Sequence, residues 1–274
     1  MQPVATIARV MTTEPHSAGA ARVLIRSQEL LWNGTERGAR GPKPGLTLER
    51  IVETAIAVAD AEGIDAVSMR RVARELGAGT MSLYRYVPGK DELLILMLDR
   101  VGAGAALPVG GGLSWRGALE QVARTSYRLY LDHPWLLKVN WTRPVFGPNT
   151  MAGFESILAA IHGLGLTDQE RVMLIVAVDS FVTGLARSQI LYTSAAEETG
   201  LSDDEFWGLQ TPVLERAMAS GDYPAMAALS EDAFDAPWDE TFEFGLHRLL
   251  DGLDNLVAGR RRSRTRTGKE TSRD

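Results

Sequence analysis

The 274-residue sequence contains no cysteine, which removes disulfide staples, thiolate zinc sites and a cysteine nucleophile from consideration. Long apolar runs are missing too. The longest, Val172–Val178, closes at Asp179, well short of the roughly 18 to 20 residues that a membrane span needs. No basic start leads into a compact hydrophobic segment, so no secretory signal is expected, and the chain reads as soluble and cytoplasmic, with no membrane partner. Histidine is scarce: of the four, His133, His162 and His247 are scattered, with no His-Glu-x-x-His spacing. Nucleophile elbows, P-loops and dinucleotide fingerprints are likewise missing. These gaps point away from an enzyme and leave no metal site or cofactor to expect. Alternating Val/Ile/Thr runs of strand type do not occur either, so the expected fold class is all-α.

The net charge of -6 looks wrong for a nucleic-acid binder until it is divided along the chain. Residues 101–259 carry 9 Lys/Arg against 21 Asp/Glu, whereas residues 68–90 carry Arg70, Arg71, Arg74, Arg85 and Lys90 against Glu75 alone. The end, residues 260–274, holds 7 basic and 2 acidic residues. Such asymmetry suggests one small nucleic-acid face on an acidic body that would itself repel DNA. The terminal basic run Arg260–Arg266 reads either as a solvated, disordered end or as a strand of charge that follows DNA.

Residues 1–35 lack a sustained period and are expected to be a flexible or weakly helical extension. Residues 36–45, rich in Gly, Pro, Arg and Lys, read as a basic arm that cannot form a regular element. Helical signals then begin. Thr47 is placed as an N-cap with Arg50 where a capping box would put Glu, and Ile51, Val52, Ala55, Ile56 and Ala59 follow at helical spacing up to Gly63. Ser68 opens a second helix that ends at Gly77, and a third short helix holds Leu83 and Tyr84 before Val87-Pro88-Gly89. A fourth starts at Lys90 or Asp91. After a glycine-rich stretch at residues 102–112, further helices are predicted over 115–131, 135–142, 149–163, 167–194, 203–220 and 238–257. The domains expected are thus 46–98 and 113–258, with 259–274 as a tail.

Residues Ser68–Leu94 concentrate the information. Val72, Ala73 and Leu76 on one short helix, with Leu83 on the next, are apolar where a crosswise pair must pack, and Gly77 suits the positive φ of a tight interhelical turn. The second helix then presents a polar, sterically light front of Gly79, Thr80 and Ser82, able to enter a major groove. Tyr84, Tyr86 and Lys90 supply hydroxyl and ammonium donors for phosphates. Arg71 and Arg74 fit a solvated face as well as a DNA contact.

The block, with the helix before it, closely resembles the DNA-binding domain of the TetR regulator family over about residues 46–98. The resemblance rests on the Ile-x-x-x-Ala repeat, the Gly63 break, the Ser-x-Arg opening at Ser68, and Leu83-Tyr84-x-Tyr86-x-x-x-Lys90-x-x-Leu93. It implies that Arg70 reaches a base edge or phosphate, that Gly79, Thr80, Met81 and Ser82 face bases, and that Tyr84, Tyr86 and Lys90 touch the backbone. Thr47, and Lys43 and Arg40 on the arm, complete the expected contacts. Gly79-Thr80-Met81 offers few bidentate donors, which leaves base readout to Arg70, Thr80 and Ser82.

The resemblance further implies a homodimer on a palindromic operator of double-stranded DNA, with half-sites about 34–36 Å apart. Helices near 167–194 and 238–257 would build its interface. The second domain would hold a partly apolar small-molecule effector, for which Tyr127, Trp135, Trp141, Phe154, His162, Asp179, Phe181 and Arg187 are the candidate lining residues. Asp179 and Arg187, eight positions apart on one helix, could instead support each other. The function expected is a ligand-responsive repressor. An activator of the same fold is the alternative, followed by an architectural protein without sequence preference.

Overall fold

In the computed structural model the described residues are 15–34, 46–105, 107, 112–139, 145–230 and 232–270. Among them every regular element is a helix. In chain order these are α1 (Pro15–Asn33), α2 (Leu48–Glu62), α3 (Met69–Glu75), α4 (Thr80–Leu83), α5 (Lys90–Gly102), α6 (Trp115–Asp132), α7 (Pro148–Ala160), α8 (Asp168–Thr199), α9 (Asp203–Ala219), α10 (Pro224–Ala227) and α11 (Trp238–Glu270). The all-α expectation agrees with this. Three sequence expectations differ. Residues 15–33, expected to be flexible or weakly helical, form a continuous helix, residues 134–138 form a 3-10 turn where a helix over 135–142 was expected, and α11 runs on through Glu270 rather than stopping at a disordered tail. The basic arm 36–45, with Arg40 and Lys43, lies outside the described residues, as does Trp141.

The described residues divide into two compact units. One draws on Met1–Gly111 and Asp132–Ala159, the other on Gly112–Leu131 and Ala160–Asp274. Of the stretch expected as the second domain, 113–258, the described residues between Asp132 and Ala159 pack within the first unit. Two carboxylates show why. Asp60 on α2 accepts Trp135 Nε1 at 2.7 Å and lies 2.7 Å from His133 Nδ1, tying the turn after α6 to the helix-turn-helix region. Asp99 on α5, 4% exposed, takes Thr150 N and Oγ1 at 2.9 and 2.8 Å and Asn149 Nδ2 at 3.1 Å. It thereby caps the start of α7, whose own preceding residue, Gly147, has no side chain to do so. A Cβ on Gly147 would sit 2.4 Å from the Asp99 carboxyl, so only glycine lets the carboxylate approach.

In the first unit, α1 packs on α5. Its buried Ser27 turns its hydroxyl to the Val23 carbonyl at 2.8 Å, and Trp32 Nε1 donates to the Phe146 carbonyl at 3.0 Å. The core beneath consists of Ile51, Val52, Ala55, Val58 and Ala59 of α2, Val72 and Ala73 of α3, Leu83 of α4, and Leu93, Leu96 and Met97 of α5. These are the apolar positions that recur at helical spacing.

The second unit packs α6, α8 and α11 together. Phe242, Leu246, Leu250, Leu253 and Val257 form the buried stripe of α11, and Val178, Val182 and Ala186 that of α8. Gly245 lets the two helices close on Phe181, whose ring would be 2.5 Å from a Cβ there. Capping boxes at Thr167 with Glu170 and at Ser202 with Glu205 start α8 and α9. Along the edge, Arg116 reaches Asp251 and Asp254 at 2.8 and 2.6 Å, and Arg124 reaches Glu243 at 2.6 Å. These arginines hold the carboxyls of Glu243 and Asp251 below their ordinary range, chiefly by hydrogen bonding. α8 is long and apolar enough to span a bilayer by composition, yet its buried face belongs to this core.

Candidate nucleic-acid interface and effector site

The interface starts with Ser68, whose hydroxyl accepts from the backbone N–H of Arg71 at 3.2 Å and so begins α3. Thr47 does the same for Arg50 at the start of α2, also at 3.2 Å. α3 ends where Gly77 takes a φ of +62°, a left-handed conformation that a side chain would strain. Ala78 N–H returns to the Ala73 carbonyl at 2.9 Å, which closes the turn. α4 has four residues, too few to be stable by propagation alone. It is held by tertiary packing: Leu83 and Val87 are completely buried, and the N–H groups of Tyr86 and Val87 bond back to the Leu83 carbonyl at 2.8 and 2.9 Å.

What the anchored helix leaves outside is the predicted front. Met81 is 77% and Tyr84 44% exposed. Arg70, Gly79 and Lys90 are exposed, and Thr80, Ser82 and Tyr86 are half-buried. Lys90 opens α5, where a positive charge opposes the helix dipole, a placement that suits phosphate better than stability. Arg71, expected either on a solvated face or on DNA, is paired within the unit. Its guanidinium bonds Glu62 and Glu75, each at 2.6 Å, and the same bond to Arg71 lowers the Glu62 carboxyl. Arg71 therefore ties α3 to α2.

In the second unit Tyr127 is buried, stacks on Phe242 with ring centroids 4.3 Å apart, and donates its hydroxyl to Gln189 Oε1. Phe181 lies 5.8 Å from the same Phe242 ring. Tyr130, one turn on, accepts from Thr183 Oγ1 at 3.1 Å. Burial, with a smaller contribution from the Asp179 charge, pushes its phenol up to about 12, and desolvation raises the Asp179 carboxyl. Tyr127 and Phe181 thus share one neighbourhood of α6, α8 and α11 through Phe242, whereas Asp179 is exposed on α8 with its charge felt at Tyr130. The other effector candidates do not join it. Trp135 is in the first unit's core on Asp60, and Phe154 meets Phe146 edge-on in that same unit. His162 and Arg187 are exposed. Eight positions of α8 separate Arg187 from Asp179 by about 12 Å of helix rise, and no ion pair joins them among the described residues. Phe242 belongs to the cluster but was not among the candidates. The 242–246–250–253–257 apolar period of α11 would have put Phe242 on the inner face.

Comparison with known proteins now bears on both sites. Residues 51–97 match the profile of bacterial regulatory proteins, tetR family, and residues 107–257 match the tetracyclin repressor-like C-terminal domain. The chain belongs to the TetR family. An HTH-type transcriptional repressor, DrrR1 of Streptomyces coeruleorubidus, is 54% identical over 92% of this chain and 93% of its own length. An HTH-type transcriptional regulator of Saccharopolyspora erythraea is 34% identical over 81% of this chain and 90% of its own. Among solved structures, apo ActR from Streptomyces coelicolor aligns with a TM-score of 0.63 at 29% identity, covering 81% of this chain and 99% of ActR. ActR in complex with actinorhodin aligns at 0.62, 31% identical, over 79% and 99%. The family read from Ser68–Leu93 is therefore the right one, and this TetR-family member is a DNA-binding transcriptional regulator.

Proposed function

We propose that this TetR-family chain is a cytoplasmic repressor that binds a palindromic operator as a homodimer and leaves it when a small, partly apolar effector enters the second unit. The DNA half of the reading rests on the front of α4. Leu83 and Val87 fix the helix, and Thr80, Met81 and Ser82, with Arg70, are left to read bases while Tyr84, Tyr86 and Lys90 grip phosphate. Thr47, the N-cap of α2, is counted among the contacts. The dimer half rests on apolar side chains that the second unit leaves exposed: Val172, Met173 and Val176 on α8, with Phe244 and Leu256 on α11. Such a patch on one chain is best explained by a second copy.

The effector half rests on the aromatic cluster of Tyr127, Phe181 and Phe242 with its polar handle Gln189. ActR, a relative of the same fold, has been solved with actinorhodin and with (S)-DNPA. An effector releases the operator only through its higher affinity for the conformer that fits DNA less well.

The test is selection of bound duplexes from a random pool at about 0.15 M salt, where most nonspecific attraction is screened. Enrichment of an inverted repeat with half-sites one turn apart is expected. Binding with no sequence preference would favour an architectural role and sink the repressor reading.

A further inference from the structure

The basic end of α11 has no part in the operator contacts of α3, α4 and α5. Up to Arg260 most charges of α11 are paired within the second unit: Asp251 and Asp254 with Arg116, Glu243 with Arg124, Arg248 with Asp251, and Arg260 itself with Glu170 and the Gly165 carbonyl. The helix then continues through Glu270, about 15 Å further at 1.5 Å per residue. This extension carries Arg261, Arg262, Arg264, Arg266 and Lys269 against Glu270 alone.

Its composition narrows the partner. Residues 260–270 contain no apolar side chain, so the segment has no face to insert into a bilayer and no seam for a protein groove. The cations fall at positions 261, 262, 264, 266 and 269, roughly one per 3 Å of helix rise. Duplex DNA carries one negative charge per about 1.7 Å of axis. The acidic remainder of the second unit provides no comparable attraction for DNA. Within the unit, Arg116 in the first turn of α6 meets Asp254 at the middle of α11, and Arg124 meets Glu243, so α11 runs antiparallel to α6 and its basic extension continues past the start of α6.

We propose that residues 261–269 form a second, sequence-independent DNA contact that grips phosphates flanking the operator. This rests on the repressor reading, because the operator brings the flanking DNA within reach. The contact adds affinity through counterion release and carries no sequence information.

The experiment compares the full-length protein with Arg261→Gln/Arg262→Gln/Arg264→Gln/Arg266→Gln and with the corresponding Arg→Lys set. The probes are the selected inverted repeat alone and the same repeat lengthened by about ten random base pairs on each side. The wild type is expected to bind the longer duplex on the order of tenfold more tightly than the shorter one near 0.1 M salt. The Gln variant should lose that gain and show a shallower salt dependence, by about 0.9 in slope for each phosphate it no longer neutralises. The Lys variant should retain both. If the Gln variant keeps the wild-type slope and length dependence, the second contact is refuted while the operator reading stands. If the wild type binds neither duplex above a scrambled control, the operator reading fails and the flanking contact fails with it.

Discussion

Replacing Asp99 should loosen α7 from the DNA-binding unit by an amount the structure lets us work out. The carboxylate is 4% exposed and takes donors from two consecutive residues, Asn149 and Thr150, at the start of α7. Removal of an ordinary N-cap costs about 0.5–2 kcal/mol. Here the loss also leaves part-buried N–H and O–H groups of Asn149 and Thr150 unpaired, at about 1–3 kcal/mol for such a group. Asp99→Ala should therefore destabilise the first unit by about 3 kcal/mol. Asp99→Asn keeps one acceptor oxygen but turns an amide towards the Asn149 donors, and should cost roughly half as much. Gly147→Ala acts on the same contact, because its Cβ would lie 2.4 Å from the Asp99 carboxyl. The costs of Gly147→Ala and Asp99→Ala should accordingly not add. Urea unfolding gives the free energies, and hydrogen exchange of the peptide covering residues 145–160 locates them. A loss under about 1 kcal/mol for Asp99→Ala, or strict additivity with Gly147→Ala, would refute the cap.

Other perturbations follow from the same geometry. Lys90→Ala should weaken operator binding about tenfold across sequences and lower the salt slope by about 1, with the dimer intact on sedimentation; an unchanged slope would remove Lys90 from the phosphate contacts. Gly245→Ala pushes a methyl into the Phe181 ring at 2.5 Å and should cost about 1–3 kcal/mol by overpacking, read by thermal unfolding. The α6–α11 ion pairs make stability depend on pH with a definite sign. The carboxyls of Glu243 and Asp251 are held below their ordinary values of 4.5 and 3.8. Their contribution is thus present above those values and is lost as pH falls through the lowered folded ones. Arg124→Gln should flatten that acid limb in urea titrations, and a limb as steep as in the wild type would show that these pairs do not cause it.

The DNA-binding half was legible because its signals are local. Thr47, Ser68 and Gly77 sit where the chain turns, and Val72, Ala73, Leu83 and Leu93 repeat at helical spacing within a few dozen residues. α1 was not legible, since its buried face is completed only by α5, some seventy residues later. Residues 134–138 carry enough Leu and Trp to look helical, yet the Asp60 carboxylate holds them in a tighter turn. The same contact explains why Trp135, an obvious aromatic candidate for the effector site, belongs to the other unit. The inner face of α11 could have been read from its period, but which of its rings would meet Tyr127 depends on how α6 and α11 cross.

The four-residue α4 has a consequence for how a regulator of this kind diversifies. Its shape is dictated from beneath by Leu83 and Val87, so the outward residues Thr80, Met81 and Ser82 contribute little to whether the helix exists. Substitutions there can therefore accumulate, and a duplicated copy can drift to a new operator without passing through an unfolded ancestor. The same dependence means that a peptide copied from residues 79–86 would not stay helical in water. Altered specificity has to be installed on the intact scaffold, one side chain at a time.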